Sequence, residues 1–330
     1  MRKTRTVLAL IFSLALLWLA FRDIDFSHVF SIISSLHYRY FLWAIFFDLF
    51  IFIFKSFKWR AIFLPVKKLE HTIFFSGIAI GSMSNNLLPF RLAELVRVFY
   101  LSWKSGVKKA VVFGTIVIER TIDIFTLLLA LLSLSLLFYD EQWIRESCWI
   151  IALGFITLSL VILIIIKHRE RAFSIIERIF SNKYQNFKNG ILSLYNNFTE
   201  GLNVIPGKKQ FFMILLFSWS EWIAALICTK FFLSGFGLVI PWKGLLLLVV
   251  ANNVSSAIPS APSSIGVFEF FIKYSLVRAF SIDPDTALSF ALVLHFVMVA
   301  PISIIGIVFL FRDGLSLSNL KNLRKEQIYF

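Results

Sequence analysis

The sequence predicts an all-α, polytopic membrane helical bundle, and three observations predict it. Apolar residues fill 58% of the 330 positions, 39 of them phenylalanine, while charged residues make up only 16%. The apolar residues collect in runs long enough to cross a bilayer, which takes about 17–25 residues. Lys and Arg collect between those runs, where the cytoplasmic bias of basic residues and the anionic inner leaflet account for a net charge of +14 without any nucleic acid. A soluble domain of this length carries a larger charged fraction.

Taken in order, the runs at 7–21, 41–64, 111–138, 148–166, 211–234 and 286–311 predict about six full spans. The first follows Arg2, Lys3 and Arg5 and has no small-residue cleavage site before Arg22, so it is expected to be retained rather than removed as a signal peptide. With a cytoplasmic N-terminus, 41–64 returns inward to Lys55, Lys58, Arg60, Lys67 and Lys68. A full crossing at 72–89 would then strand Arg91, Arg97, Lys104, Lys108 and Lys109 outside. A re-entrant hairpin opening inward and turning near Pro89 removes that conflict.

Span 111–138 leads to an acidic outer loop with Asp140, Glu141 and Glu146, and 148–166 leads back to a basic one. For Arg312, Lys321, Arg324 and Lys325 to lie inside, the region 244–281 must enter and leave on the outer side, as a second hairpin broken by Pro259, Pro262 and Gly266. The single membrane domain, 1–330, therefore reads as an inverted repeat of 41–138 and 211–311. Span 148–166 and an amphipathic helix at 172–202, lying on the cytoplasmic surface, link the halves. A second surface helix is expected outside at 24–36. Both termini are placed in the cytoplasm, and the membrane is the cell (inner) membrane.

Charged side chains inside a bilayer normally face a partner or a wet cavity, which makes them the candidate site. The paired Asn85-Asn86 and Asn252-Asn253 stand at matching interruptions of the two halves, the sequence sign of a mid-membrane binding site. Arg91, Glu94 and Arg97, spaced by three, share the side of the helix that leaves the Pro89 break, and that helix start suits an anion. Arg91 and Glu94 are read as functional, and Arg97 as a surface contact to lipid phosphates. Glu119 and Asp123 share one helix face, four residues apart. Arg120 is read either as a ligand group or as half of a structural ion pair with a carboxylate such as Glu94. Glu269 begins the helix after the second break, and His295 is read as a proton carrier or a helix-bridging donor. Asp48, Lys55 and Glu221 are weaker candidates. Neither Cys148 nor Cys228 has a Cys or His nearby, and there is no metal-ligand spacing, phosphate loop or nucleophile motif, so no metal, cofactor or enzyme activity is expected.

Three motifs, Asn86-Leu87-Leu88-Pro89-Phe90-Arg91-Leu92-Ala93-Glu94-Leu95-Val96-Arg97, Glu119-Arg120-Thr121-Ile122-Asp123 and Pro262-Ser263-Ser264-Ile265-Gly266-Val267-Phe268-Glu269, resemble the lysylphosphatidylglycerol synthase transmembrane region, also called the flippase-like domain family. The likeness spans roughly residues 5 to 312. It implies an inner-membrane protein that moves lipids or lipid-linked compounds between leaflets, with Arg91, Glu94, Glu119, Arg120, Asp123 and Glu269 as the residues carried over. The chain departs from the family at Ala93, where Gly is usual, and at Ser263-Ser264, where Gly-Gly is common. No soluble aminoacyl-transferring domain follows the last span, so lipid lysylation is not expected of this chain. The expected partners are membrane lipids, either an anionic phospholipid or a lipid-linked sugar. The alternative to a transporter is an accessory or scaffold subunit for a glycosyltransferase or lipid-modifying enzyme.

Overall fold

A computed structural model of the chain describes residues 2–22, 24–87, 93–167, 207–258 and 260–315. Pro89, Arg91, Pro259 and the expected surface helix at 172–202 lie outside the described residues. The described secondary structure is helical: α1 (Arg2–Phe21), α2 (Phe26–Ser34), α3 (Tyr38–Phe63), α4 (His71–Leu87), α5 (Ala93–Ser105), α6 (Lys109–Leu137), α7 (Gln142–Lys167), α8 (Lys208–Gly235), α9 (Trp242–Ala257), α10 (Val267–Phe280) and α11 (Pro284–Arg312). Each of the six apolar runs forms a helix. Of these, α3, α6, α8 and α11 are long and apolar enough, by length and composition, to cross a membrane.

The breaks fall where backbone chemistry requires them. Helix α9 stops at Ile258, which is extended (φ −72°, ψ 127°) as the residue before Pro259 must be. A single 3-10 turn, Pro262–Ser264, follows, and Ser263 (φ 57°), Ser264 (φ 61°) and Gly266 (φ 88°) all occupy the left-handed region. That explains why Gly-Gly suits the family pattern at Ser263-Ser264. The two serines here hold a conformation that costs an L-residue about 1–2 kcal/mol. Helix α11 opens on a regular cap: the Asp283 carboxylate accepts from the Thr286 N–H at 3.0 Å, with Pro284 at the first helical position.

Two long antiparallel helices, α3 and α8, form the central seam. Aromatic contacts zip it together: Phe41 on Phe232 (4.8 Å between ring centroids), Phe47 on Phe231 (5.6 Å) and Phe57 on Phe217 (5.4 Å). Helices α4 and α5 fold back on each other as a hairpin, since Gly77 faces Tyr100 and Gly81 faces Ala93 and Arg97. Helices α9 and α10 do the same, with Gly244 against Phe280. Each hairpin packs on the long helix that follows it, α5 on α6 and α10 on α11. The N-terminal part of α4 to its tip runs along α11, where Gly306 lets the two backbones meet, and α4 also touches the Pro262–Ser264 turn. The interrupted segments are thereby brought into contact. Helix α1 lies on α10, α2 on α11, and α7 on α6.

Candidate functional site: an intramembrane charge network

The first half builds a network of alternating charges. Glu94, in the first turn of α5, pairs with Arg120 of α6, the partnership that the sequence left open as the structural alternative. Arg120 also lies 3.6 Å from Asp123 one turn along α6. The other oxygen of Asp123 accepts from Lys58 of α3 at 2.6 Å, and Lys58 donates at 2.9 Å to Glu221 of α8. The order Glu94–Arg120–Asp123–Lys58–Glu221 thus ties four helices together through pairs that neutralise each other, the condition for charge inside a bilayer. Lys58 is fully buried, whereas the side chains of Glu94 and Arg120 are 34% and 43% exposed, so one end of the network is accessible.

Beside it sits a drier pair. Arg97 donates through both terminal nitrogens to the two oxygens of Glu119, and both side chains are buried. Its guanidinium also stacks 4.1 Å from the ring of Trp59, which in turn donates to Thr115 at 3.1 Å. A bidentate arginine–carboxylate pair over an indole face is a geometry that lysine cannot reproduce. This corrects the expectation that Arg97 lies on a surface helix against lipid phosphates. The three-residue spacing of Glu94 and Arg97 puts both on one side of α5, and that side faces α6 and Trp59 rather than lipid.

The second half uses a different device. Glu269, in the first turn of α10, accepts from the Gly266 N–H at 2.7 Å and so satisfies a free donor at the helix start. Its other oxygen lies 2.5 Å from His295 Nδ1 of α11, and His295 Nε2 donates to the Ser263 carbonyl at 2.9 Å. The Ser263 hydroxyl lies 3.0 Å from the same nitrogen, so the imidazole is held on both sides, by the turn and by the carboxylate. Helix α1 closes this region: Ser13 Oγ accepts from the Ala261 N–H at 2.8 Å and Lys273 donates to Ala20 O at 2.7 Å.

The sequence-predicted residues therefore fall into separate groups. Glu94, Glu119, Arg120 and Asp123 join the first group, and Glu269 and His295 form the second, with no hydrogen bond or ion pair between the two groups among the described residues. Asn86 donates to Ser303 of α11 at 3.0 Å, Asn253 bonds back to Val249 of its own helix, and Asn85 has no hydrogen bond among the described residues. Asn252 lines a small cavity between α3, α8, α9 and α11. Sequence reasoning missed Lys58 and Trp59 as site residues. Lys58 was read with the basic cluster that marks a cytoplasmic helix end, although it stands five residues before the last residue of α3. The signal for it was available in Glu221, a carboxylate on another apolar helix that needed a cation.

Where α2 meets the start of α11, His28, Asp283 and Asp285 place their ligand-type atoms within 4.8 Å of one another. These groups already serve as caps and as a clasp. Asp285 accepts from the Asp25 N–H at 3.2 Å and lies 2.9 Å from His28 Nδ1.

Long apolar helices, a pair of broken-helix hairpins in contact, and paired charges crossing between helices define a polytopic α-helical membrane protein built around an intramembrane polar site. The chain belongs to the family of the lysylphosphatidylglycerol synthase TM region, whose profile matches residues 6–306. It is also similar to the UPF0104 membrane protein MJ1078 of Methanocaldococcus jannaschii, with 25% identity over 222 residues, covering 67% of this chain and 89% of that protein.

Proposed function

We propose that this protein is a flippase-like transporter of the cell (inner) membrane that moves an anionic or glycosylated lipid, or a lipid-linked compound, between leaflets. The observation that carries the reading is the Glu94–Arg120–Asp123–Lys58–Glu221 network, charged and paired within the bundle yet accessible at the Glu94–Arg120 end. A lipid phosphate arriving there exchanges with Glu94 for the Arg120 guanidinium, a swap of one oxyanion partner for another. Charge balance is kept at each step, so the headgroup crosses without a bare ion meeting hydrocarbon. A groove of about 260 Å³ between α6 and α7 runs alongside, lined by Phe125, Leu128, Leu132, Trp149 and Ile156, and suits an acyl chain that stays in the bilayer.

The topology that supports this reading is six crossings and two re-entrant hairpins opening to opposite sides, with both termini in the cytoplasm. At 1.5 Å per residue, α4, α5, α9 and α10 are about 20–26 Å long, short of the ~30 Å hydrocarbon core, as hairpin arms should be. The matching packing of α3–α4–α5–α6 and α8–α9–α10–α11 supports an inverted repeat, with Glu94 and Glu269 in equivalent first turns. Carrier action needs no bound cofactor, and the protein is read as no enzyme.

The test is translocation of headgroup-labelled phosphatidylglycerol and of a labelled lipid-linked sugar in liposomes holding the purified protein. Wild type should carry at least one of them across, and Arg120→Gln should slow that transfer by at least about tenfold, the cost of roughly 1.4 kcal/mol of lost binding. Equal rates in wild type and variant would remove Arg120 from the path. Protein that moves neither lipid but copurifies with a glycosyltransferase or lipid synthase would replace this reading with the accessory-subunit one.

A further inference from the structure

Of the cations gathered where α3 crosses α6, Lys58, Arg97 and Arg120 each hold a carboxylate. Lys55 holds none. It makes no hydrogen bond or ion pair among the described residues, and its side chain is only partly buried. It stands on the same side of α3 as Lys58, one turn earlier and about 12 Å along the axis from the last residue of that helix. At that depth in an apolar span a charge calls for a partner.

The surrounding charges say which partner is missing. Lys55 feels Arg120 most, then Asp123, Glu119 and Arg97, and its own charge is felt at Glu221. Its strongest charged neighbour is thus another cation, and two cations side by side repel unless an anion joins them. The nearby carboxylates are already engaged. Asp123 accepts from Lys58 at 2.6 Å and lies 3.6 Å from Arg120, Glu221 takes the other side of Lys58, and Glu119 takes both terminal nitrogens of Arg97. Glu94, the remaining partner of Arg120, is 34% exposed and can turn to water.

Charge matching then selects the ligand. A phosphodiester brings one negative charge, enough to replace Glu94 on Arg120 and no more, so Lys55 stays bare. A phosphomonoester brings about −1.5 to −2, and its oxygens can take the guanidinium fork and the ammonium together. The apolar groove between α6 and α7 begins at Phe125, about 7.5 Å along α6 from Arg120, which puts a place for a tail beside the place for the phosphoryl group.

We propose that Lys55 and Arg120 form a two-cation site for a phosphoryl dianion, and that the lipid handled here carries a phosphomonoester or a pyrophosphate. The lipid half of this statement rests on the transporter reading; the two-cation site does not.

The experiment measures binding to the full chain in detergent by isothermal titration. Dihexanoyl phosphatidate serves as the dianion, dihexanoyl phosphatidylglycerol as the monoanion and inorganic phosphate as the free anion. Wild type should bind phosphatidate at least about tenfold more tightly than phosphatidylglycerol. Lys55→Gln should erase that preference while still binding phosphatidylglycerol, and Arg120→Gln should weaken both lipids. Equal affinities in wild type, binding of neither lipid, or a preference that survives Lys55→Gln overturns the proposal. Inorganic phosphate binding more weakly than phosphatidate supports the lipid assignment, and binding as tightly overturns it. Stability separates a ligand group from a structural one. Without ligand, Lys55→Gln should unfold at the wild-type temperature or above it, because it removes an unpaired charge that faces Arg120. A lower unfolding temperature, or failure to fold, makes Lys55 a structural cation and overturns the proposal. No readout involves movement between leaflets, so protein that binds phosphatidate and translocates nothing sinks the transport reading alone.

Discussion

The two hairpins solve one problem with different chemistry. Each resumes with a helix whose first turn carries a carboxylate, Glu94 in α5 and Glu269 in α10, and each carboxylate is met from the following long helix, by Arg120 of α6 and His295 of α11. The difference is accessibility. Glu94 and Arg120 are 34% and 43% exposed, whereas Glu269 and His295 are 4% and 12% exposed. A guanidinium is charged in every environment and suits the accessible position; an imidazole offers one ring nitrogen to the carboxylate and the other to the Ser263 backbone, and suits the dry one. Where a guanidinium is buried, at Arg97, the protein surrounds it with a two-pronged carboxylate and an indole ring. Burial thus selects the kind of pairing, and accessibility marks the end of the molecule that a ligand can reach.

The sharpest way to break this comparison is at Glu119. Glu119→Ala leaves Arg97 buried and unpaired, and should destabilise the protein by about 3–5 kcal/mol in chemical unfolding. The double change Arg97→Met with Glu119→Leu should recover most of that loss, because the pair is compensation rather than net stabilisation. A double variant as unstable as the single one would show that the pair itself carries the stability.

Gly266 comes next. Its φ of 88° disfavours any side chain, and a Cβ there would lie 2.2 Å from Ser13 O of α1. Gly266→Ala should cost about 2–4 kcal/mol from backbone strain and overpacking together. The loss should shrink when α1 is removed, which separates the clash from the strain. At the dry carboxylate itself, Glu269→Gln keeps an oxygen for the Gly266 N–H and puts an amide nitrogen opposite His295 Nδ1. A loss of about 1–2 kcal/mol is expected, well below that at Glu119, because an amide still has partners there. An equal loss at Glu119 and Glu269 would erase the distinction between the halves. At the accessible pair, Arg120→Gln should change stability by less than about 1 kcal/mol, since exposed ion pairs contribute little. Its effect should appear in lipid movement instead.

Much of this was legible in the chain. All six apolar runs are helices, 244–281 holds the folded-back pair α9 and α10, and the Arg120–Glu94 pairing is one of the two readings that the need to neutralise charge in an apolar span left open; the first interruption holds α4 alone, which folds back on α5 beyond it. What was illegible depended on which face meets what. Arg97 has the spacing of a surface residue and the environment of a core one, and only the approach of Trp59 distinguishes them. Lys58 is near enough to the end of α3 to pass for a snorkelling lysine. Lys55 looked weak because its significance is the lack of a partner, which no sequence displays.

The smallest expected effect lies where α2 meets the first turn of α11, where an acid–imidazole pair like that of Glu269 and His295 is open to solvent. His28 of α2, about half exposed, pairs with Asp285 at the start of α11. The hydrogen bond with Asp285 raises the His28 pKa above its usual value, against the lowering effect of burial, and the charges of Asp285, Asp283 and Asp25 add to the rise. Because the folded-state pKa is the higher one, the clasp contributes fully below the ordinary histidine value of about 6.5 and is lost as pH rises through the raised value. Hydrogen exchange at α2 should therefore quicken across that window in wild type and show no such step in His28→Gln. Salt should flatten the wild-type step, as it screens exposed charges, while leaving the buried Glu269–His295 pair unaffected. A wild-type step that survives high salt would mean that the clasp is far less open to solvent than its geometry indicates, and the rule that burial selects the pairing would lose its exposed reference point.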